Sequence, residues 1–306
     1  GEEGVVLFTD DGGDSWALQN PATAENIFAI EFIDTSFGWA VGASGAIIRT
    51  IDGGQDWVPA TSGSLFDIHD LEFVSVTEGW ACAEGGTILK TIDGGITWTE
   101  IFNPASGNLW GISFADSIGV TVGAAGVILR TVYDQQWSSW TRVNSPTTET
   151  IRQVQMLTNL VGYAVGTNGT VIKTTDAGQS WSVQTTPVSV TLRGLSFVDE
   201  STGLAVGDNG TVIVTTDGGA NWSIGSPPSE TNALWGVDWV TAQAGWVVGE
   251  FSILFTPGNV TNWQYYYSQT TPLPTLTGVY FINDTTGYVC GWNGTVLKTT
   301  NGGDNW

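Results

Sequence analysis

Apolar residues separated by single polar ones recur along the chain at nearly constant intervals. Ile30-Glu31-Phe32, Leu71-Glu72-Phe73, Ile112-Ser113-Phe114, Leu195-Ser196-Phe197 and Val237-Asp238-Trp239 all alternate with period two, which predicts half-buried strands. A few residues later comes a denser run bounded by glycine, as in Gly38-Trp-Ala-Val-Gly42, Gly162-Tyr-Ala-Val-Gly166 and Gly245-Trp-Val-Val-Gly249. A tight turn follows, often Asn-Gly (Asn168-Gly169, Asn209-Gly210, Asn293-Gly294), a dipeptide suited to a two-residue hairpin. A third apolar stretch such as Thr170 to Thr174 leads into a box that ends on tryptophan. No segment sustains a helical period.

The box gives the period. Trp16, Trp57, Trp98, Trp140, Trp181, Trp222, Trp263 and Trp306 are spaced by 41, 41, 42, 41, 41, 41 and 43 residues. The clearest boxes are Thr50-Ile-Asp52-Gly-Gly-Gln-Asp-Trp57, Thr91-Ile-Asp93-Gly-Gly-Ile-Thr-Trp98 and Thr215-Thr-Asp217-Gly-Gly-Ala-Asn-Trp222. Asp11 and Asp176 hold the same place, and Asn301 replaces the acid in the last box. The stretch from Thr131 to Trp140 carries two extra residues, and that from Thr256 to Trp263 has lost the acid. Asp before Gly-Gly is turn chemistry: the carboxylate accepts nearby backbone N–H groups and glycine supplies positive φ. Four antiparallel strands, A to D, in about 40 residues make a propeller blade.

The repeats resemble the BNR/Asp-box propeller family, and within it the photosystem II stability and assembly factor type found in many secreted bacterial proteins. The resemblance covers essentially the whole chain. It rests on Gly-Trp-Ala-Val-Gly, a short turn, then Ile47-Ile-Arg-Thr-Ile-Asp-Gly-Gly54. It implies a β-propeller with a protein-binding or cell-surface role, and boxes placed peripherally as turn-fixing elements. It does not imply photosynthesis.

We expect an all-β, seven-bladed propeller of four-stranded antiparallel blades starting near residues 27, 68, 109, 151, 192, 234 and 276. Strand 15–20 would close the ring beside the last three strands. One N-terminal C strand is then surplus, and the alternative is eight blades or part of a longer array. The abrupt ends suggest a piece of a longer polypeptide, and an unpaired strand edge is a template for another chain.

Composition narrows the partners. Thirty acids against eight bases give a net charge of −22, which repels nucleic acid and anionic lipid. Thr, Ser, Asn and Gly dominate the polar positions, as in extracellular proteins. Sequons stand at Asn168, Asn209, Asn221, Asn259, Asn283 and Asn293. The sequence holds no membrane-spanning run. Cys82 and Cys290 share one strand-B site in blades two and seven, too far apart for a disulfide. Both are expected as buried free thiols.

Three repeated positions could carry chemistry. The Asp boxes could bind calcium, but a feature on every blade serves the repeat, and we assign them no metal and the protein no cofactor. Arg49, Lys90, Arg130, Lys173 and Lys298 precede the box Thr. They would form a phosphate ring or, as we favour, blade-to-blade ion pairs and stems covering apolar surface. The third position, at the start of strand A, is Phe28, His69, Trp110, Arg152, Arg193, Trp235 and Thr277. It changes character while its neighbours keep the pattern. Strand A is innermost, so these residues should ring one mouth of the central channel. Trp and Arg are the types enriched in binding hot spots, and packing between blades is the competing explanation.

Catalysis has little support. Related Asp-box folds include sialidases and xyloglucanases, but the sialidase Arg-Ile-Pro signature is absent. Glu31, Glu72 and Asp238 occupy equivalent A-strand sites without forming a pair across a cleft, and His69 is the single histidine. The sequence therefore points to a non-catalytic extracellular or cell-surface scaffold that recognises protein or glycan. A structural module of a filament or surface layer is one alternative, and a glycoside hydrolase the other.

Overall fold

The computed structural model describes residues 1–19, 23–134, 139–225, 231–241, 244–256, 263–266 and 273–306. Pro21, Pro272, the sequon at Asn259 and parts of the two degraded boxes lie outside them. The fold is a seven-bladed β-propeller of antiparallel sheets. By contacts the chain divides into two compact units, Gly1–Thr148 and Glu149–Trp306.

The first unit holds three blades. Their strands A to D are Ile27–Phe32, Gly38–Gly42, Ile47–Thr50 and Val58–Pro59 in blade 1; Ile68–Phe73, Gly79–Ala83, Ile88–Thr91 and Thr99–Glu100 in blade 2; and Leu109–Ala115, Ile118–Gly123, Ile128–Val132 and Thr141–Arg142 in blade 3. Ahead of them Leu7–Phe8 pairs with Ala17–Leu18, a C and a D strand in hairpin register.

The second unit holds four blades. Blade 4 is Ile151–Met156, Gly162–Gly166, Val171–Thr174 and Ser182–Val183; blade 5 is Leu192–Phe197, Gly203–Gly207, Thr211–Thr215 and Ser223–Ile224. Blade 6 is Leu234–Thr241, Ala244–Gly249, Ser252–Thr256 and Gln264–Tyr266, and blade 7 is Leu276–Phe281, Gly287–Gly291 and Thr295–Thr299.

Burial follows strand position. Every residue of strand B in blades 1 to 6 is buried, strand A is only partly buried, and the D strands of blades 1 to 5 are exposed. The core therefore lies between blades. Trp39 and Val41 of blade 1, for example, pack with Leu71, Phe73 and Trp98 of blade 2.

One three-part joint explains why the aromatic of strand B and the distant box recur together. The Trp39 ring stacks on Phe73 of the next blade, with centroids 3.4 Å apart, and Trp98 meets the same Phe edge-on at 5.7 Å. Trp39 Nε1 donates to the Gly94 carbonyl of the next blade's box at 2.9 Å. Tyr163 repeats the joint, stacking on Phe197 at 3.9 Å and donating its hydroxyl to the Gly218 carbonyl at 2.8 Å. Trp246 does so again with Phe281 and the Gly302 carbonyl. Aromatic pairs add about 0.5–1.5 kcal/mol beyond area burial, and the hydrogen bond fixes their register.

The box works by the turn chemistry read from its sequence. Thr50 Oγ1 donates to Asp52 Oδ1 at 2.8 Å and accepts from Gly54 N at 2.9 Å, while Asp52 Oδ1 also accepts from Asp56 N at 3.0 Å. Gly53 and Gly54 stand at φ 75° and 92°. These bonds hold the Asp52 carboxyl below its usual range, led by the Asp56 N–H. Asp93, Asp176 and Asp217 make the same bonds, as does Asn301 through its amide oxygen. The amide suffices because acceptance, not charge, is what the turn requires. No cluster of three metal-ligating side chains occurs among the described residues.

Two of the basic residues before the boxes brace the blades, Lys90 by an ion pair within its own blade, not the expected blade-to-blade pair, and Lys173 by a bond to the next blade. Lys90 pairs with Glu78 at 2.8 Å and lies 5.0 Å from the Trp80 ring. Lys173 donates to the Gly218 carbonyl of the next blade at 2.6 Å and lies 5.2 Å from the Tyr163 ring. Both cysteines are free thiols. Cys82 is fully buried, but Cys290 is exposed, which corrects the expectation of burial. Cys82 packs with Leu109 and Ile112 of blade 3.

Candidate functional site

The upper end of each blade carries the start of strand A, the B–C turn and the D–A loop. A β-bulge sits there in all seven blades. The strand A–B register shifts between Ile27 and Ala29, Ile68 and Asp70, Leu109 and Gly111, and Ile151 and Gln153. It shifts likewise between Leu192 and Gly194, Leu234 and Gly236, and Leu276 and Gly278. The extra residue is in turn Phe28, His69, Trp110, Arg152, Arg193, Trp235 and Thr277. A bulge leaves its extra residue outside the ladder and re-aims its side chain. That is why this position varies while its neighbours keep the repeat.

In the first unit three of these residues form a stack. The Phe28 and His69 rings are 6.1 Å apart and the His69 and Trp110 rings 4.2 Å apart, with interplanar angles of 25° and 28°. Phe28 is 48% exposed. Burial pushes the His69 imidazole below its ordinary value, against the opposing pull of Glu84 and Asp67. The ring is therefore neutral at pH 7.

In the second unit the same position carries a cation on an indole. The Arg193 guanidinium carbon lies 4.1 Å from the Trp235 ring centroid, and Arg193 Nε donates to Asp208 Oδ1 at 2.6 Å. Arg152 is half-buried near this pair. Burial and then the Arg193 charge depress its pKa, and Asp208 partly compensates. Thr277 is exposed on blade 7. Beside the Arg193 pair a cavity of about 470 Å³ opens between B–C turns and D–A loops, lined by Asn168, Thr191, Asp208, Asn209 and Glu250 among others.

Sequence reasoning missed the residue that opens the B–C turn. It is Ala43, Glu84, Ala124, Thr167, Asp208, Glu250 and Trp292 in the seven blades. The same signal, variation on a regular frame, marks it. In blades 4 and 5 its place is fixed by the glycine before it, because a Cβ on Gly166 or Gly207 would overlap the Thr150 or Thr191 carbonyl; blade 2 has Ala83 there. The turn then places consecutive residues at positive φ, Asn168 at 55° and Gly169 at 66°.

The A-strand carboxylates are engaged between blades. Glu31 accepts from Phe73 N at 2.9 Å, Asp70 from Ile112 N at 3.1 Å and Asp238 from Phe281 N at 2.7 Å, while Glu72 accepts from Phe114 N. Gln153 and Gln155 make the same bonds to Leu195 N and Phe197 N at 2.7 and 3.0 Å. Burial raises the carboxyls, Glu31 to about 7, Asp70 to about 6 and Glu72 to about 8. Where the repeat substitutes amides for these acids, the bonds persist, so their shared role is to join blades.

Residues 182–267 match a family described as photosynthesis system II assembly factor YCF48. No curated protein sequence matches the chain. Among solved structures, YCF48 bound to D1 peptide is similar at TM-score 0.71 and 21% identity, covering 90% of this chain and 92% of that one. YCF48 from Cyanidioschyzon merolae is similar at TM-score 0.70 and 18% identity, over 90% and 95%. Virginiamycin B lyase from Staphylococcus aureus is similar at TM-score 0.73 and 13% identity, over 90% and 95%. At these identities the likeness shows the fold alone, and a fold shared with a lyase does not decide between catalysis and binding.

Proposed function

We propose that this propeller is a non-catalytic assembly or binding factor that grips a protein segment with the upper ends of its blades. The carrying observation is the bulged position at the start of strand A, where seven blades of one repeat present Phe, His, Trp, Arg, Arg, Trp and Thr. Arg193 on Trp235 is braced by Asp208 as a preorganised, planar donor, the arrangement suited to carboxylate recognition. Arg152 adds a second guanidinium with a desolvation cost that an anionic ligand group relieves. The YCF48 likeness supports a peptide as ligand, since one such structure holds D1 peptide. The scarcity of bases and the Thr-, Ser- and Asn-rich surface support a setting outside the cytoplasm.

The test is to identify a captured segment by cross-linking, synthesise it, and titrate it against wild type and an Arg152→Ala/Arg193→Ala variant. Affinity should fall by roughly 30-fold, the equivalent of about 2 kcal/mol. Folding should survive, because Ile151, Val154, Leu192 and Leu195 supply the buried face of these strands. Unchanged affinity in the double variant refutes the assignment.

A further inference from the structure

We propose that the cavity between the upper ends of blades 4 to 6 binds a neutral saccharide unit, whose hydroxyls bond to the loops lining the cavity while its apolar face lies on Phe251. This goes beyond the peptide reading and does not depend on it.

The cavity collects polar groups that the protein leaves unused. Its volume is about 470 Å³, and its walls include the D–A loop between blades 4 and 5 and the B–C turns of blades 5 and 6. Among the described residues, the hydroxyls of Ser189 and Thr191 and the side-chain amide of Asn209 make no hydrogen bond. Asp208 gives Oδ1 to Arg193 Nε at 2.6 Å and its side chain is 30% exposed, which leaves Oδ2. Glu250 Oε2 accepts a long bond from Ala233 N at 3.4 Å, which leaves Oε1. Three loops therefore bring five polar groups without a protein partner to one cavity.

The blade 6 turn adds an apolar surface. In blade 5, Gly207 pairs with Thr211 and three residues intervene; in blade 6, Gly249 pairs with Ser252 and only Glu250 and Phe251 intervene. The turn has lost its glycine but still needs a left-handed residue, and Phe251 takes that conformation at φ 61°. The other blades have Ser44, Gly85, Ala125, Asn168, Asn209 and Asn293 there, all small or amide-bearing. A bulky residue is strained in this region, and strain of this kind gathers at ligand clamps. Here it holds an aromatic ring, 55% exposed, at the tip of the turn whose other residue, Glu250, lines the cavity.

The chemistry selects the guest. Among the described residues no Lys or Arg lines the cavity, and two carboxylates repel an anion. Asp208 already has its cation in Arg193. The volume is that of a small-molecule site, far more than one ammonium fills. A pyranose offers what the walls lack: several hydroxyls along its edge for separate loops, and a C–H face for an aromatic ring.

The experiment titrates the whole protein with the methyl glycosides of mannose, galactose, glucose and fucose and with N-acetylglucosamine, read by saturation-transfer NMR, with n-butylammonium as the cationic control. At least one saccharide should bind at millimolar concentration. Phe251→Asn should weaken it roughly tenfold while raising the urea midpoint, because Asn tolerates the left-handed region. Glu250→Gln keeps the Ala233 bond through its amide oxygen, and Asn209→Gly keeps the positive φ; each should weaken binding severalfold. Binding of none of these saccharides, equal binding by all three variants, or preference for n-butylammonium overturns the proposal. Its failure leaves the peptide reading standing, because that reading is tested on Arg152 and Arg193 with a different probe.

Discussion

Replacing Glu72 by Gln should stabilise the protein, and only at neutral to alkaline pH. Glu72 is buried on strand A of blade 2 and accepts the Phe114 N–H of blade 3; burial, with the nearby Glu31 and Asp70 charges, lifts its pKa from 4.5 to about 8. Below pH 4.5 folded and unfolded states both hold the proton, so the group contributes nothing to the pH dependence. Between pH 4.5 and 8 the unfolded chain releases the proton that the folded chain keeps. Stability therefore falls as pH rises through this window, by up to about 1.4 kcal/mol per unit. The full gap sets a ceiling of about 5 kcal/mol, and screening by solvent at a group that is not wholly dry leaves about 2 kcal/mol. Gln removes the titration and keeps the acceptor, as Gln155 does for Phe197 N at 3.0 Å. Urea unfolding at pH 5 and pH 8 measures the difference. The midpoint of Glu72→Gln should exceed wild type at pH 8 by the equivalent of about 2 kcal/mol, and by under about 1 kcal/mol at pH 5, with an unchanged slope. An equal gain at both pH values, or a loss at pH 8, would refute the reasoning.

Other substitutions probe the joints between blades. Trp39→Phe keeps an aromatic ring against Phe73 but strips the Gly94 carbonyl of its donor, and should cost about 1–2 kcal/mol in chemical denaturation; Trp39→Ala should cost about 3–5 kcal/mol. Thr215→Val removes the acceptor of the buried Gly219 N–H and the donor to Asp217, and should cost about 1–3 kcal/mol in the same assay. A cost no larger for Trp39→Ala than for Trp39→Phe would show that the stack contributes nothing. Iodoacetamide should label Cys290 in the native protein and Cys82 only after unfolding, and mass spectrometry of the two peptides distinguishes them.

The repeat determined the fold because its signals are local. Period-two alternation set strand A, the glycine-bounded apolar run set strand B, and the Thr-to-Trp box set the C–D turn within eight residues. Each needs only neighbours along the chain. The boxes could be assigned as structural for the same reason, since one Asp and one Thr satisfy the turn's own N–H groups. Variation at the start of strand A also marked Phe28 through Thr277 as unlike their surroundings. What tertiary structure decided lies about one repeat away in sequence. That Trp39 donates to Gly94, or that Glu31 caps Phe73 N, depends on how one blade meets the next, and no local pattern records it. The same holds for the upper ends. Only the fold sets Arg193 between Trp235 and Asp208, or stacks Phe28, His69 and Trp110 on one another. Burial likewise separated two cysteines that share one place in the repeat, because a side chain's exposure depends on what packs against it as well as on its position in the strand.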